Sequence, residues 1–191
     1  MEPDGLTFAC ATPPEAAVAK RLGLAHAVIG LGGANGLPEG RLVSFGLAGA
    51  LHDGIALGAV IDATRIVDEE GDVLWEGGPL GARDARPGTI LALDRIVDEP
   101  WERQRLYELT RADAVDMESG VLARTGRLAG CLRAISDTPS RRIDALAGVV
   151  GATGELRWPA LVRAIGKNPP RATSAILDAI RALKNLERAA R

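Results

Sequence analysis

Two acidic residues lie where an apolar stretch of the sequence gives way to polar residues, a position at which a carboxyl group can do chemistry. Asp137 ends the apolar run in RAISDTPS, and Glu118 follows an apolar run in ADAVDMESGVLA. An acid at the carboxyl end of a central strand is well placed for catalysis. The same residue type also caps helices and begins turns, so both interpretations remain open for Asp137.

The motif DMES contains the second acid and predicts the start of a helix. Asp116 is positioned to cap that helix, which would place Glu118 in its first turn. The positive end of the helix dipole favours an ionised carboxyl group there. An ionised Glu118 with both oxygens free is a good acceptor for a pair of sugar hydroxyl groups. The alternative is an acid-rich helix start without a binding role.

Two glycine-rich segments follow predicted strands. GLGGANG (30–36) is not the dinucleotide fingerprint, because Asn35 replaces the third glycine, and no Gly-Lys-Ser/Thr follows to make a P-loop. It is either a tight turn or a close approach of backbone to a ligand. In SFGLAGAL we predict that the strand ends at Gly46 and that backbone N–H groups then face a polar ligand. The alternative is close packing of the strand end against a helix.

Histidine and cysteine give no sign of a metal site or a nucleophile. His26 and His52 are far apart and lack the spacing of metal ligands. Cys10 and Cys131 each lie in an apolar run, which is typical of small buried hydrophobic residues. No serine or cysteine lies in a nucleophile motif such as Gly-x-Ser-x-Gly. We therefore predict no metal site.

The composition is typical of one soluble globular domain. The chain has 191 residues, of which 47% are hydrophobic and 25% charged, and its net charge is -2. This balance indicates neither nucleic acid nor an anionic membrane as the main partner. No apolar run approaches the ~18 residues of a membrane span, and the first residues lack the pattern of a signal peptide. We expect a cytoplasmic protein without a membrane span.

Apolar runs and turn signals predict alternating strands and helices around one sheet. Predicted strands are 6–11, 25–33, 41–51, 58–68, 72–77, 88–97, 112–116 and 131–138. Predicted helices are 12–23, 99–112, 117–130, 157–166 and an amphipathic helix at 172–190, with a stripe of Ile176, Ile180, Leu183 and Leu186.

This order predicts a single-domain α/β fold over residues 1–191, a three-layer sandwich with helices on both sides of a central sheet. The hairpin near residues 60–77 indicates a mixed sheet. Ligands of such sheets bind beyond the carboxyl ends of strands. The segments expected there are 12–15, 30–33, 46–49 and 136–138.

The order and spacing of these motifs resemble the nucleoside phosphorylase and nucleosidase superfamily. The resemblance extends to about residue 140 and is carried by Glu15, the Gly-x-Gly at residue 30, SFGLAGAL, GTILALDRIV, AVDMES and RAISD. AVDMES and RAISD, about twenty residues apart, are its most specific motifs. SFGLAGAL, AVDMES and WPALVRAIGKNPP look most like the hopanoid-associated phosphorylase branch, which acts on adenosylhopane.

The resemblance implies a site that breaks the N-glycosidic bond of a purine nucleoside. Asp137 would donate a proton towards N7 of the base, with Ser136 orienting its carboxyl group. Glu118 would accept hydrogen bonds from the ribose diol and stabilise a cationic, oxocarbenium-like sugar. Met117 would lie against the sugar. Glu15 matches the acid that activates water in the nucleosidase branch.

The remaining wall of the implied site comes from two segments. Ile96 and Val97 match the segment that contacts the base, and Gly46, Leu47, Ala48 and Gly49 would cradle the base or the acceptor. The resemblance implies neither a metal nor an organic cofactor, with inorganic phosphate as a possible co-substrate. The protein would bind a small-molecule nucleoside and assemble with further copies of the same chain as a homo-oligomer. Nucleic acid would not be a partner.

Departures from the family pattern leave the acceptor open. Phosphorylases place arginine where this chain has Ser44, and Leu47 occupies a place often held by a small residue. A glutamate at position 15 would repel a phosphate dianion. The residues thus favour water, whereas the overall resemblance favours phosphate. The stretch 15–41 is also shorter than usual, which keeps a non-catalytic nucleoside-binding homologue as an alternative.

Overall fold

The computed structural model describes residues 5–142 and 148–191 and arranges them as strands and helices around one sheet. The strands are β1 Leu6–Cys10, β2 His26–Val28, β3 Arg41–Ala50, β4 Val60–Val67, β5 Val73–Glu76, β6 Arg86–Ala92, β7 Ala114–Asp116 and β8 Leu128–Asp137. The helices are α1 Pro13–Arg21, α2 Pro100–Thr110, α3 Ser119–Ala123, α4 Trp158–Lys167 and α5 Pro169–Ala189, with a short 3-10 turn at Leu31–Gly33.

The sheet is mixed, as the predicted hairpin indicates. Its order is β2-β1-β3-β7-β6-β4-β5, and β8 pairs with both β3 and β4. β3 is parallel to β1 and β8, whereas β4 is antiparallel to β5 and β8. The pairings β3-β7-β6-β4-β8-β3 close a ring, so the centre of the sheet is strongly curved. The predicted α/β fold with a central mixed sheet is confirmed.

Helices cover both faces of this sheet. On one face α1 and α5 pack on Phe8, Val43, Phe45 and Leu132. On the other face Leu122 of α3 packs in a cluster built largely from alanine, isoleucine and leucine. Burial of this aliphatic surface stabilises the layers, since each fully buried large side chain contributes about 1.5–3 kcal/mol. Cys10 and Cys131 are buried free thiols, as predicted.

Parallel strands bring the predicted ligand segments to one edge. β1, β2, β3 and β8 run in the same direction, because β1 is parallel to β2 and β3, and β3 is parallel to β8. The loops after their carboxyl ends therefore lie together. β7 runs antiparallel to β3 and pairs Val115 with Gly49. Because this short strand pairs only with Gly49 and Ala50 at the end of β3, the DMES motif that follows it stays close to that edge.

Several predicted elements are wrong in extent. The strand predicted at 25–33 ends at Val28 and is followed by the 3-10 turn at Leu31–Gly33. The helix predicted at 117–130 ends at Ala123, because Gly126 takes a left-handed conformation and Leu128 begins β8. The strand predicted at 88–97 ends at Ala92, after which the chain turns towards α2. α5 begins at Pro169 rather than at residue 172.

The predicted apolar stripe of α5 is rotated relative to the buried one. Ile180 is exposed, and Leu186 is buried together with alanines at 172, 175, 182 and 189. Small residues let the helix backbone approach the sheet closely, which a stripe of isoleucine and leucine would prevent. Within the described residues, no helix is long and apolar enough to cross a membrane.

A buried acid on β4 holds the loop that covers β8. Asp62 accepts hydrogen bonds from the backbone N–H groups of Leu80, Gly81 and Ala82 at 2.8, 2.8 and 3.0 Å. Leu80 in turn packs over Gly130, where a Cβ would approach it to 2.5 Å. Three backbone donors therefore depend on one carboxylate.

We predict that Asp62→Ala lowers the free energy of unfolding by about 3 kcal/mol, because three backbone N–H groups lose the buried carboxylate that they share. Urea unfolding monitored by circular dichroism measures the change. Asp72→Ala, at an exposed position in the turn between β4 and β5, serves as the control. It should change the free energy of unfolding by less than about 0.5 kcal/mol. A loss of similar size in both variants would contradict the assigned role.

Candidate functional site

Hydrogen bonds join three of the four segments predicted to meet, and they connect the fourth, at residues 30–33, to the DMES motif. The backbone N–H of Leu47 donates to Glu15 at 2.8 Å, and that of Gly32 donates to Glu118 at 3.3 Å. The hydroxyl of Ser136 reaches the carbonyl oxygen of Ala48 at 3.3 Å. The ends of β1, β2, β3 and β8 and the start of α3 thus form one site at this edge of the sheet.

Glu15 is buried, and both its carboxylate oxygens have partners. Oε2 accepts from the backbone N–H and the hydroxyl of Thr12, each at 2.8 Å, which forms a capping box at the start of α1. Oε1 accepts from Leu47. Glu15 therefore ties α1 to β3, and any role in activating an acceptor is added to this structural one.

Two glycines of β3 make room for two of the acids. A Cβ on Gly46 would overlap Oε1 of Glu15 and lie 2.8 Å from Nη1 of Arg133. A Cβ on Gly49 would lie 2.8 Å from Oδ2 of Asp137. The predicted turn at Gly46 is wrong, because β3 continues to Ala50 and pairs with β7 and β8. Substrate binding by this segment stays a prediction.

Arg133 is fully buried and forms the centre of a charged cluster. Its Nη2 donates to Ser44 Oγ at 2.7 Å and to Glu118 Oε2 at 3.3 Å, and it is paired with Asp116. Its Nη1 reaches the carbonyl oxygen of Leu47 at 3.3 Å. Burial lowers the pKa of Arg133, but Asp116 and Glu118 outweigh it and raise that pKa. The guanidinium is therefore charged.

Glu118 differs from the prediction of an ionised acid with free oxygens. Burial raises the pKa of Glu118 to about 7, against the lowering effect of Arg133, and the charges of Asp116 and Glu15 raise it further. α3 has five residues, so its dipole is too short to reverse this effect. Its oxygens face Arg133 and the N–H of Gly32.

Asp116 has the structural role predicted for it. Its carboxylate accepts the backbone N–H of Ser119, the first residue of α3, at 3.2 Å. The residue immediately before the helix is Glu118 rather than Asp116. The loop of DMES is thus fixed from both sides, by the helix start and by Arg133.

Asp137 is buried beside Ser136 and Arg103. The hydroxyl of Ser136 donates to Oδ1 at 2.8 Å, which fits the predicted orienting role. Arg103 of α2 is also buried and ion-pairs with Oδ2. Its other donors reach the carbonyl oxygens of Val97 at 3.0 Å and Ala50 at 2.9 Å. Asp137 is thereby held on two sides.

Burial raises the pKa of Asp137 above its ordinary value, and this effect exceeds the lowering caused by Arg103 and Ser136. A carboxyl group with a raised pKa keeps its proton at higher pH than an exposed aspartate. This is the property that a general acid needs. The raised pKa and the contact with Ser136 are compatible with a role of Asp137 as an acid, which stays a prediction.

The other predicted contact residues lie around these acids. Met117 and Leu47 are half-buried at the site, and Ala48 is buried in β3. Ile96 is exposed, whereas the side chain of Val97 is buried against α2 and its carbonyl oxygen accepts from Arg103. Contact of Ile96 and Val97 with a base stays a prediction.

Sequence reasoning missed both buried arginines. Arg133 stands in the apolar strand CLRAIS, where it could equally have faced solvent, and Arg103 stands in a charged helix sequence. The available signal was weak: Arg133 precedes Asp137 by four residues within one strand that pairs with β3 along most of its length. In the part of the chain that the structure describes, no histidine, cysteine and acid cluster could hold a metal ion.

The site therefore combines acids of two kinds. Asp137 can hold a proton for a leaving group, and Glu118 titrates near neutral pH next to a fixed cation. When Glu118 is ionised, its carboxylate adds negative charge beside Asp116 and Glu15. Such a site can stabilise positive charge on a bound molecule.

No protein-family model matches the chain, and no curated protein matches its sequence. Solved structures do match its fold. One is the 5′-methylthioadenosine/S-adenosylhomocysteine nucleosidase of Neisseria meningitidis in complex with methylthio-immucillin-A, with a TM-score of 0.57 and 16% identity over 96% of this chain and 98% of the other.

Two proteins of Helicobacter pylori also share the fold of this chain at low sequence identity. A mutant methylthioadenosine nucleosidase with 5′-methylthioadenosine in its active site has a TM-score of 0.55 and 16% identity over 95% and 97% of the two chains. The native futalosine hydrolase has a TM-score of 0.54 and 14% identity over 95% and 96%. The chain therefore shares the fold of these nucleosidases.

Proposed function

We propose that the protein is an enzyme that cleaves the N-glycosidic bond of a purine nucleoside and releases the base. The observation that carries the proposal is Asp137, a buried acid with a raised pKa at the carboxyl end of β8, oriented by Ser136. The similar solved structures include nucleosidases of this type, which supports the same reaction class.

Asp137 acts as the general acid in this proposal. Cleavage of the bond leaves negative charge on the purine, and a proton delivered to N7 lets the base leave as a neutral molecule. Ser136 fixes the carboxyl group through Oδ1, and Arg103 fixes it through Oδ2. Both contacts hold the proton donor in one orientation before the substrate binds.

Glu118 stabilises the sugar as positive charge develops on it. The ribose diol donates hydrogen bonds to its carboxylate, and Met117 provides an apolar contact beneath the sugar. The present contacts of Glu118 with Arg133 and with the N–H of Gly32 are both 3.3 Å. They are long for hydrogen bonds, so the hydroxyl groups of a substrate can replace them.

The charges of the site favour water as the acceptor. Arg133 is already paired with two carboxylates, and Glu15 would repel a phosphate dianion. Phosphate is the alternative acceptor, because the sequence resembles the hopanoid-associated phosphorylase branch and adenosylhopane would then be the substrate. The enzyme in either case acts on a small-molecule nucleoside, and we expect a cytoplasmic homo-oligomer.

The reaction and its acceptor are tested together by incubating the protein with adenosine, methylthioadenosine and inosine, with and without phosphate. We expect free base in both conditions. Release that requires phosphate would identify a phosphorylase and overturn the choice of water. Binding of these nucleosides without release of base would identify a non-catalytic homologue.

Asp137→Asn should lower kcat/KM by about 100-fold or more, because the amide cannot deliver the proton. Its carbonyl oxygen can still accept from Arg103, so circular dichroism should show a folded protein. Asp72→Asn, at an exposed aspartate in the β4–β5 hairpin, is the control and should keep the rate. A near-normal kcat/KM in Asp137→Asn would exclude the acid role.

The activity should rise with pH up to about 7, where Glu118 ionises and becomes able to stabilise the cationic sugar. The activity should also fall as the pH rises through the raised pKa of Asp137, where this acid loses its proton. The pH profile of kcat/KM measures both limbs. Glu118→Gln should lower the rate and remove the limb near pH 7, and persistence of that limb in the variant would assign it to another group.

The same ionisation should change stability in the opposite direction. The pKa of Glu118 is about 7 in the folded protein and 4.5 as its ordinary value, so the unfolded chain loses this proton first as the pH rises. The free energy of unfolding should therefore fall between pH 4.5 and 7, by up to about 3 kcal/mol. Urea titrations should show a smaller fall in Glu118→Gln and an unchanged fall in the exposed control Glu70→Gln.

Gly46→Ala should lower activity while the protein still folds, because the added methyl group overlaps Glu15 and displaces its carboxylate from Leu47. Overpacking of this kind costs about 1–3 kcal/mol of stability. Gly78→Ala, where a Cβ meets nothing within 4 Å, is the matched control. Equal kcat/KM values for the two variants would show that the position of Glu15 does not matter for turnover.

A further inference from the structure

The segment that follows β8 turns back at once and is tied to the start of α2. Thr138 and Arg141 exchange two backbone hydrogen bonds of 3.1 and 2.9 Å, which makes a tight turn. The next side chain, Arg142, donates from Nε and Nη2 to Oδ2 of Asp98 at 3.1 and 2.8 Å, and from Nη2 to Glu99 at 2.6 Å. Because Glu99 immediately precedes α2, Arg142 joins the end of this turn to the helix start.

The same helix start also contacts Asp137. The carbonyl oxygen of Val97 accepts from Nε of Arg103 at 3.0 Å, and Arg103 is ion-paired with Asp137. Val97 and Asp98 are neighbours in the chain. Asp137 and Arg142 therefore both attach to this short segment, the first through Arg103 and the second directly. The turn after β8 and the start of α2 are thus linked at two points.

Asp98 is the acid at the second of these points. Its side chain is 19% exposed, and both of its hydrogen bonds from Arg142 go to Oδ2. Oδ1 is buried and has no hydrogen-bond partner among residues 5–142 and 148–191. Within this part of the chain, Arg142 therefore compensates the negative charge of Asp98 on one oxygen only.

Two charged side chains from the α2 side act on the proton of Asp137 in opposite directions. The main effect on its pKa is burial, which raises it. Arg103 lowers the pKa through its charge and its hydrogen bond, and the negative charge of Asp98 raises it. A carboxylate near a second carboxyl group disfavours loss of the proton from that group, which explains the direction.

The charged side chains on the other surrounding elements have partners of their own. Arg141 in the turn pairs with Asp178 of α5 at 2.7 Å, and Arg133 of β8 pairs with the acids of the DMES motif. β3 faces the carboxyl group with Gly49, which has no side chain. Asp98 is therefore the acid through which these surroundings adjust the proton of the proposed donor.

We propose that Asp98 and Arg142 are positioning residues that keep Asp137 ready to donate its proton. The proposal rests on the proposed function, because it assigns both residues to the acid of that reaction. Asp98 opposes a second negative charge at Asp137, so the proton stays on the carboxyl group until the leaving base takes it. Arg142 holds Asp98 in place and limits the effect of its charge. Both residues act through Asp137 and not on the substrate.

Variants of the two residues should move the falling limb of the pH profile of kcat/KM in opposite directions. Asp98→Asn removes the negative charge but keeps an oxygen for Arg142, so the limb should move to lower pH by about half a unit or more. Arg142→Gln removes the compensating positive charge, so the limb should move to higher pH by about the same amount. The substrate is whichever of adenosine, methylthioadenosine and inosine the parent protein cleaves fastest.

Conservative and unrelated substitutions are the controls. Arg142→Lys keeps the positive charge and should keep the falling limb of the parent protein. Asp72→Asn and Arg163→Gln each remove one charge at an exposed position outside these contacts and should leave the limb unchanged. A merely structural role would lower kcat/KM in Asp98→Asn and Arg142→Gln without opposite shifts. Any pattern other than opposite shifts of the expected signs would overturn the proposal.

Carboxyl ¹³C NMR of protein labelled at aspartate separates this proposal from the proposed function. The signal of Asp137 is assigned by its loss in Asp137→Asn, and its titration midpoint should fall in Asp98→Asn and rise in Arg142→Gln. These movements without release of base from any nucleoside would contradict the proposed function, while the effect of both residues on Asp137 would stand. Release of base with a midpoint that stays fixed in both variants would overturn the positioning role instead.

Discussion

The buried guanidinium of Arg133 is the interaction on which the candidate site depends. It lies inside the curved sheet on β8 and contacts the DMES loop through Asp116 and Glu118 and β3 through Ser44 and Leu47. A charge buried without partners costs several kcal/mol, so these three segments are held in one arrangement. If one acidic partner of Arg133 is removed, the other must offset the whole cost of burying the guanidinium charge.

This arrangement also sets the proton affinities of the acids. Both acids are buried, and burial raises the pKa of Glu118 and of Asp137 even though each faces an arginine. Arg133 lowers the pKa of Glu118 and Arg103 lowers that of Asp137, which limits the effect of burial. The same contacts fix the orientation of the two carboxyl groups. The arginines that position the site therefore also influence the pKa values of the acids proposed to react in it.

The sequence was informative where local chemistry determines the structure. Ser136 and Asp137 end a strand as predicted, and Asp116 receives the first N–H of α3. The capping box of Glu15 was also encoded locally, as Thr-x-x-Glu, although its bond to Leu47 joins residues far apart in the chain. Long-range contacts of this kind leave no periodic pattern.

Other features followed from tertiary packing and could not be predicted. The burial of Arg103 and Arg133 depends on carboxylates supplied by distant segments. The buried face of α5 uses alanines, because close approach to the sheet outweighs the larger apolar residues. The raised pKa of Glu118 reverses the expectation from the helix dipole, since burial over the whole cluster exceeds the effect of a five-residue helix.

The two glycines of β3 have a consequence for how such a sequence can diverge. The space above Gly46 belongs to the side chain of Glu15, and the space above Gly49 belongs to Asp137. A lineage that replaces either glycine must shorten or move the matching acid in the same evolutionary step. Positions 15 and 46, and positions 49 and 137, should therefore covary as pairs, although 31 and 88 positions separate the members of each pair in the chain.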